Sequence, residues 1–271
     1  MRPLAEFPLE ERRRIRVVLF DIDDTLTLDR RLPARAYAAL ERLHASGLVT
    51  VPVTGRPAGW CDHIARMWPV DAVVGENGAF YFRYDSARRR MVRRFWYDEA
   101  QRRRHRQRLD AVAERVLAAV SGARIAADQG YRESDLAIDY CEDVPRLPRR
   151  DVQRIVDIFQ QAGARAKVSS IHVNGWFGDY DKRAMVLIVL AELFECADRR
   201  ALEERALFVG DSPNDAPLFE LLPQSVGVAN IREFTDELHV SPRWITPGRG
   251  GLGFAELAQA LLAARPRSAG G

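Results

Sequence analysis

The most regular feature of the chain is a series of short apolar runs, each stopped by a polar cluster. Val17-Val18-Leu19-Phe20 stops at Asp21, Leu48–Val53 at Thr54-Gly55-Arg56, Ala72–Val74 at Gly75-Glu76-Asn77-Gly78, and Ala206–Val209 at Gly210-Asp211. Unbroken apolar runs of this length suit strands buried on both faces of a parallel sheet. Between them, Pro33 opens a helical stretch from Ala34 to Ser46 that places Ala36, Leu40 and Leu43 on one side and stops at Gly47. Pro57 opens a second helix, running to about Trp68. Strand–helix alternation with polar strand ends predicts an α/β architecture on a parallel sheet.

The grammar changes in the middle of the chain. Ala79–Phe82 and Met91–Tyr97 read as antiparallel strands, followed by an arginine-rich helix over Glu99–Val120 and a strand over Asp135–Tyr140. A helix over Pro148–Ala162 and strands at Ala166–Ser169 and Ile171–Val173 complete an α+β module of about one hundred residues, a plausible small domain. Parallel-sheet grammar resumes with a helix over Lys182–Phe194, the Ala206–Val209 strand and a short helix at Pro217–Leu222. Val226–Val228 and Trp244–Ile245 read as edge strands, Phe254–Ala263 as a closing helix, and the tail from Arg265 as unstructured. The expected organisation is a Rossmann-like core over residues 1–82 and 181–271, with an inserted α+β domain over 83–180.

Composition narrows the class. The chain has 271 residues, 47% of them hydrophobic and 29% charged, which supports a sizeable core. No apolar run approaches the roughly 20 residues of a membrane span, and the N-terminus carries no apolar secretory segment. Cys61, Cys141 and Cys196 are odd in number and widely spaced, which argues against a disulfide scaffold or a zinc site; the cytoplasm is the expected location. The net charge is +3, but Arg83–Arg108 holds eleven arginines against Asp85, Asp98 and Glu99, a local +8 that leaves −5 for the remainder. Clustered arginines can neutralise nucleic-acid phosphates, yet no nucleic-acid motif accompanies them, and a solvated helix face that steers anions explains them as well. Of the 41 lysines and arginines only Lys167 and Lys182 are lysine. In so arginine-rich a chain a retained lysine draws notice, because a site that wants a compact point charge cannot take arginine in its place.

In open α/β sheets ligands bind just beyond the carboxyl ends of the strands, so the four polar clusters can converge. Any one of them could be an ordinary turn or helix cap; the agreement of all four points to a site. Asp21, Asp23, Asp211 and Asp215 would crowd carboxylates that repel unless a cation sits among them, and all-oxygen ligation with few protein ligands suits Mg²⁺. Lys182 would add fixed positive charge. A nucleophilic aspartate, a second carboxylate, a hydroxyl, a lysine and Mg²⁺ together suit phosphoryl transfer.

In this arrangement the chain resembles the haloacid dehalogenase superfamily. Its four motifs occur in order as Asp21-Ile22-Asp23-Asp24-Thr25, Thr54 in Val-Thr-Gly-Arg-Pro, Lys182, and Gly210-Asp211-Ser212-Pro213-Asn214-Asp215. The insert falls between the second and third motifs, as in C2-type caps. Its element order, together with Gly75-Glu76-Asn77-Gly78, is most similar to the branch of sucrose-phosphate and trehalose-phosphate phosphatases, phosphomannomutase and Cof-like sugar phosphatases. Asp24 departs from the glycine commoner at that position.

The resemblance implies a Mg²⁺-dependent phosphatase acting on a small phosphorylated metabolite, a sugar phosphate, through an aspartyl-phosphate. Asp21 would be the nucleophile and a metal ligand, and Asp23 the general acid–base and a ligand through its carbonyl. Thr54 and Lys182 would hold phosphoryl oxygens, and Asp211 and Asp215 would complete the metal site. Gly55, Arg56, Glu76, Asn77 and Asn214 are expected at the substrate, as are His172 and Asn174, which alternate on one side of their strand; Ser169, Ser170 and Trp176 lie beside them. A phosphomutase of the phosphomannomutase type is the alternative within the same chemistry, and a nucleic-acid-binding protein using the arginine belt is the alternative of a different class. The expected partner is a small substrate, with no nucleic acid and no membrane; the oligomeric state is left open.

Overall fold

The structure, a computed structural model, describes residues 1–169, 171–194 and 198–265. Ser170, Cys196 and the tail beyond Arg265 lie outside the described residues. The first part of the chain holds β1 (Arg2–Pro3), α1 (Leu9–Arg14), β2 (Val17–Phe20), α2 (Ala34–Ala45), β3 (Val49–Pro52), α3 (Ala58–Met67) and β4 (Val73–Gly75), then the hairpin β5 (Phe80–Asp85) and β6 (Arg90–Phe95). The middle holds α4 (Glu99–Ala119), β7 (Arg124–Ile125), β8 (Leu136–Asp139), α5 (Arg149–Gln161), β9 (Arg165–Val168) and β10 (His172–Trp176). The last part holds α6 (Lys182–Phe194), α7 (Arg199–Arg205), β11 (Ala206–Gly210), α8 (Ala216–Leu221), β12 (Gln224–Gly227), β13 (Trp244–Ile245) and α9 (Gly250–Ala263).

Six strands form an all-parallel sheet in the order β1-β13-β12-β11-β2-β3. The unbroken Val17–Phe20 run serves two faces. Val18 and Phe20 pack with α2 and α9 residues on one side, and Val17 and Leu19 with Met185, Val186 and Val189 of α6 on the other. Side chains alternate across a strand, so a fully apolar run is what two buried faces require.

Two sequence expectations need correction. Residues 226–228 and 244–245 are not at the edge: β12 lies between β11 and β13, and β13 is covered by β1. Arg2–Pro3 pairs through its backbone and lays the Arg2 guanidinium 4.9 Å from the Trp244 ring centroid, a contact that no hydrophobic pattern signals. The hairpin, expected partly within the insert, is tied to the core. Val74 of β4 bridges Val53 in parallel and pairs with Tyr81 of β5. Phe80, Phe82 and Phe95 of the hairpin then cluster with Cys61 and Ile64 of α3. The expected division after Phe82 therefore falls inside β5.

The insert proper is an antiparallel sheet, β7-β8-β10-β9, with a hydrophobic core of its own. Leu109, Val112 and Val116 of α4 and Ile155 and Phe159 of α5 cover one face of it, meeting Ile138 and Val173. The alternate residues, His172 and Asn174 on β10 with Lys167 opposite Asn174 on β9, occupy the other face, toward the carboxyl ends of the parallel strands. Much of the arginine belt is engaged within the protein: Arg102 lies 3.6 Å from the Phe95 ring centroid and Arg108 3.6 Å from that of Phe177. Arg93 pairs with Asp62 at 2.7 Å. Among the described residues no helix is long and apolar enough to cross a membrane.

Candidate active site

A cleft of about 1590 Å³ lies between the parallel-strand ends and the open face of the inserted sheet. At its floor β2 delivers Asp21 and β11 delivers Asp211, while the 3₁₀ turn Pro213–Asp215 delivers Asp215. Lys182, the first residue of α6, is buried and donates to Asp21 Oδ1 and to Asp215 Oδ1, each at 2.9 Å. Burial alone would lower the proton affinity of Lys182, but the two carboxylates outweigh it and hold the ammonium protonated well above its ordinary range. A cation at a helix N-terminus is opposed by the helix dipole; here paired carboxylates, not the dipole, decide its place.

Asp21 pays for its position. Burial lifts its pKa to about 7, Lys182 opposes the rise, and Asp215 and Asp23 add to it. Asp211 is pushed well above the carboxylate range by burial and then by Asp215 and Asp21. One oxygen from each of Asp21, Asp211 and Asp215 lies within 4.8 Å of the others. Three crowded carboxylates offering only oxygen fit a hard divalent cation, whose charge would favour all three anions. Asp215 is wholly buried, and its Oδ2 accepts the Asp211 amide at 3.1 Å. A Cβ on Gly210 would stand 2.4 Å from that same oxygen, so only glycine permits this close approach.

The second wall is the loop after β3. Arg56 makes a bidentate pair with Asp23, Nε to Oδ2 at 2.9 Å and Nη2 to Oδ1 at 2.6 Å, and lies 4.5 Å from the Trp60 ring centroid. Trp60 thereby serves as a platform for the guanidinium. Thr54 is wholly buried and does not line the cleft, which corrects its expected place at the phosphoryl group; its Oγ accepts the Arg56 amide at 3.0 Å. Gly55 and Asn77 line the cleft side by side, and a Cβ on Gly55 would lie 3.2 Å from Asn77 Oδ1.

Glu76 does not reach the cleft, which corrects its expected place at the substrate. It sits in left-handed backbone (φ 43°), followed by Asn77 (φ 57°), and its carboxylate turns inward, wholly buried. There it accepts four backbone amides: Ala58 of α3 at 2.9 Å, and Glu133, Ser134 and Asp135 ahead of β8 at 2.9, 2.6 and 3.2 Å. Burial raises its pKa to about 7, as does neighbouring Asp135, against the pull of Arg132 and the amides. Glu76 is a clamp between core and insert.

From the insert, His172 and Asn174 do line the cleft, but both already have partners. His172 Nε2 lies 2.9 Å from Glu142 Oε2, and this contact holds Glu142 below its usual range. Asn174 Nδ2 donates to Asp135 Oδ2 at 3.2 Å. Ser169 Oγ donates to the His172 carbonyl at 3.0 Å, and Trp176 packs with Tyr180 rather than facing the cleft. Asn214 Nδ2 donates to the Val168 carbonyl at 2.8 Å, so it joins the loop after β11 to the insert rather than standing free for substrate. Cys61 and Cys141 are both buried.

Sequence reading missed several site groups. Asn230 and Thr25 hold Asp211, at 3.1 and 3.0 Å, and Arg132 joins Gly55 O to Asp135 and Asp128. Asn230 follows β12, the strand taken for an edge, and its place at one more strand end was the available signal. Arg132 carried none, because it lies in an irregular stretch and its partners are brought to it by tertiary folding. Lys167, without an assigned role in the sequence, also lines the cleft.

With a parallel sheet, carboxylates at its strand ends and a lysine between them, the molecule has the architecture of an α/β hydrolytic enzyme. Residues 18–96 match the family model of haloacid dehalogenase-like hydrolases. No curated protein matches the sequence. The fold is similar to that of protein 0175 from Thermoplasma acidophilum (TM-score 0.70, 20% identity, covering 92% of this chain and 98% of that one). It is also similar to the sucrose-phosphatase of Synechocystis sp. PCC6803, solved with sucrose and phosphate (TM-score 0.63, 14% identity, 92% and 98% covered). A third similar structure is a subclass IIB sugar phosphatase, BT4131 (TM-score 0.59, 14% identity, 92% and 98% covered). At these identities the likeness is one of fold.

Proposed function

We propose that this chain is a Mg²⁺-dependent phosphatase of the subclass IIB kind, hydrolysing a small phosphorylated metabolite of the sugar-phosphate class through an aspartyl-phosphate on Asp21. The observation that carries the reading is the Lys182 bridge between Asp21 and Asp215, beside Asp211. The solved sugar phosphatases of similar fold support the substrate class.

Asp21 attacks phosphorus while Asp23 gives a proton to the leaving oxygen, which departs as an alcohol and leaves the phosphoryl group on Asp21. Asp23, now a carboxylate, takes a proton from water as that water attacks phosphorus; inorganic phosphate leaves and Asp21 is restored. Lys182 holds Asp21 in place and neutralises phosphoryl oxygens, and Thr54, buried behind the cleft wall, accepts the Arg56 amide and so holds the loop that carries Arg56. Mg²⁺, held by the side chains of Asp21, Asp211 and Asp215 and by the carbonyl of Asp23, would supply the positive charge that the transferring group needs. Substrate must share or displace Arg56 to reach Asp23. The insert acts as a cap, moving on the core to admit substrate and exclude water; it starts beyond the hairpin, which ends at Phe95 and is anchored on the core, and closes near residue 180.

Asp21→Asn is expected to abolish hydrolysis of an aryl phosphate in the presence of Mg²⁺ while leaving the circular dichroism spectrum unchanged. Normal turnover by that variant would sink the assignment.

A further inference from the structure

The cations that line the cleft are, with few exceptions, neutralised by the protein itself. Lys182 has Asp21 and Asp215, Arg56 has Asp23, and Arg132 has Asp128 and Asp135. Arg30 lacks a carboxylate but donates to the Cys141 carbonyl at 3.2 Å, and Arg146 leans over the Tyr140 ring, 5.8 Å from its centroid. Lys167 has neither hydrogen bond nor ion pair among the described residues, although it lines the same cleft.

Its position is set by strand register. Lys167 on β9 pairs with Asn174 on β10, so the two side chains share the sheet face that looks onto the strand ends. On that face His172 and Asn174 are engaged by Glu142 and Asp135. Lys167 is thus the cleft-facing donor there with all its hydrogen-bonding capacity unused. The loop after β11 meets β9 directly through Asn214 and the Val168 carbonyl, one residue away. Although Lys167 is open to solvent in the cleft, the surrounding protein and then Lys182 depress its proton affinity. Asp215 and Asp181 act in the other direction from a distance, but neither makes an ion pair with Lys167, and an ammonium without a direct partner gains when an anion arrives.

We propose that Lys167 is a specificity-determining residue that binds a second anionic group, a carboxylate or a second phosphoryl group, on the leaving portion of the substrate. The assignment to the leaving portion follows from placement: the transferring phosphoryl group belongs with Asp21 and Lys182 on the core, while Lys167 stands on the opposite wall. This inference rests on the phosphatase reading. It also gives a reason for lysine at both positions that kept one: each faces an anion that a compact ammonium can meet from any direction.

The test uses the full chain with Mg²⁺ and three substrates: a hexose monophosphate with an uncharged leaving group, a phosphoglycerate, and a hexose bisphosphate. The wild type is expected to prefer at least one of the doubly anionic substrates. Lys167→Gln should lower the ratio of its kcat/KM to that for the hexose monophosphate by about tenfold to a hundredfold, mostly through KM, as expected for a lost charged hydrogen bond. Lys167→Arg should recover part of the ratio, and Lys167→Glu should invert the preference. Loss confined to phosphoglycerate identifies a carboxylate, and loss confined to the bisphosphate identifies a phosphoryl group. A wild type that prefers the hexose monophosphate, or a ratio unmoved by Lys167→Gln because all substrates suffer equally or none does, overturns the proposal while leaving the phosphatase reading intact. Absence of turnover on all three and on aryl phosphates overturns the phosphatase reading itself.

Discussion

Asp211 shows most directly what the site costs the fold. It is buried beside two other carboxylates, and Thr25 and Asn230 hold it by hydrogen bonds that also fix its direction. Without a cation, ionising all three is unfavourable, so removing one charge should help the fold and harm the chemistry. Asp211→Asn is expected to raise the thermal midpoint of chelator-treated protein by about 2–4 °C, equivalent to about 1 kcal/mol for a chain of this size. The same variant should lose the further rise that Mg²⁺ gives the wild type. A lower midpoint in chelator would show that repulsion is not the governing effect. At this scale the sequence was readable wherever chemistry alone demands a residue type: Asp21, Asp211, Asp215 and Lys182 all meet at the floor. It was unreadable wherever direction decides. Glu76 sits at the right strand end, but two consecutive left-handed residues turn its carboxylate inward, and His172 and Asn174 face the cleft with partners that only the folded insert brings to them.

The turn after β4 is where element and site are coupled. Gly78, at φ 103°, passes so close to the start of α6 that a Cβ there would stand 2.1 Å from the Asp181 carbonyl, immediately before Lys182. The same turn carries Glu76, which ties α3 to the segment leading into β8. The carboxyl of Glu76 titrates at about 7 in the fold against an ordinary 4.5. Between those values the folded protein keeps a proton that the unfolded chain has released. Its contribution to stability is therefore full below about pH 4.5 and is lost as the pH rises through about 7. Glu76→Gln cannot ionise. Denaturant unfolding at several pH values should accordingly show the advantage of the wild type over this variant shrinking by up to about 3 kcal/mol across that window. An advantage that grows with pH would mean that the four amides, not burial, govern the group. Among the elements, β2 and α6 were legible to the residue because apolar runs and breakers define them. The two-residue strands β1 and β7 were not, since their pairing is made by partners distant in sequence.

At the scale of the molecule, charge and packing divide along different lines. The local +8 of Arg83–Arg108 spans the hairpin and α4, and the remainder, with its strand-end carboxylates, is net −5. Packing divides more sharply. The inserted sheet with α4 and α5 has a hydrophobic core separate from the two that sandwich the parallel sheet. Polar clamps such as Glu76 to Ser134 and Arg132 to Gly55, with an aromatic cluster around Trp176 and Tyr180, bridge the halves. Separate cores joined mainly by clamps are expected to open as separate cooperative units. A cation at the ends of β2 and β11 then stabilises only the unit that holds it. With Mg²⁺ at about a hundred times its dissociation constant, exchange of the slowest amides of β2 and β11 should slow about a hundredfold relative to chelator-treated protein. Those of β8 and β10 should change by less than about twofold. Hydrogen exchange read by mass spectrometry resolves these segments, and equal slowing in all four strands would mean that core and insert open as one body, leaving no independent cap motion to gate the cleft.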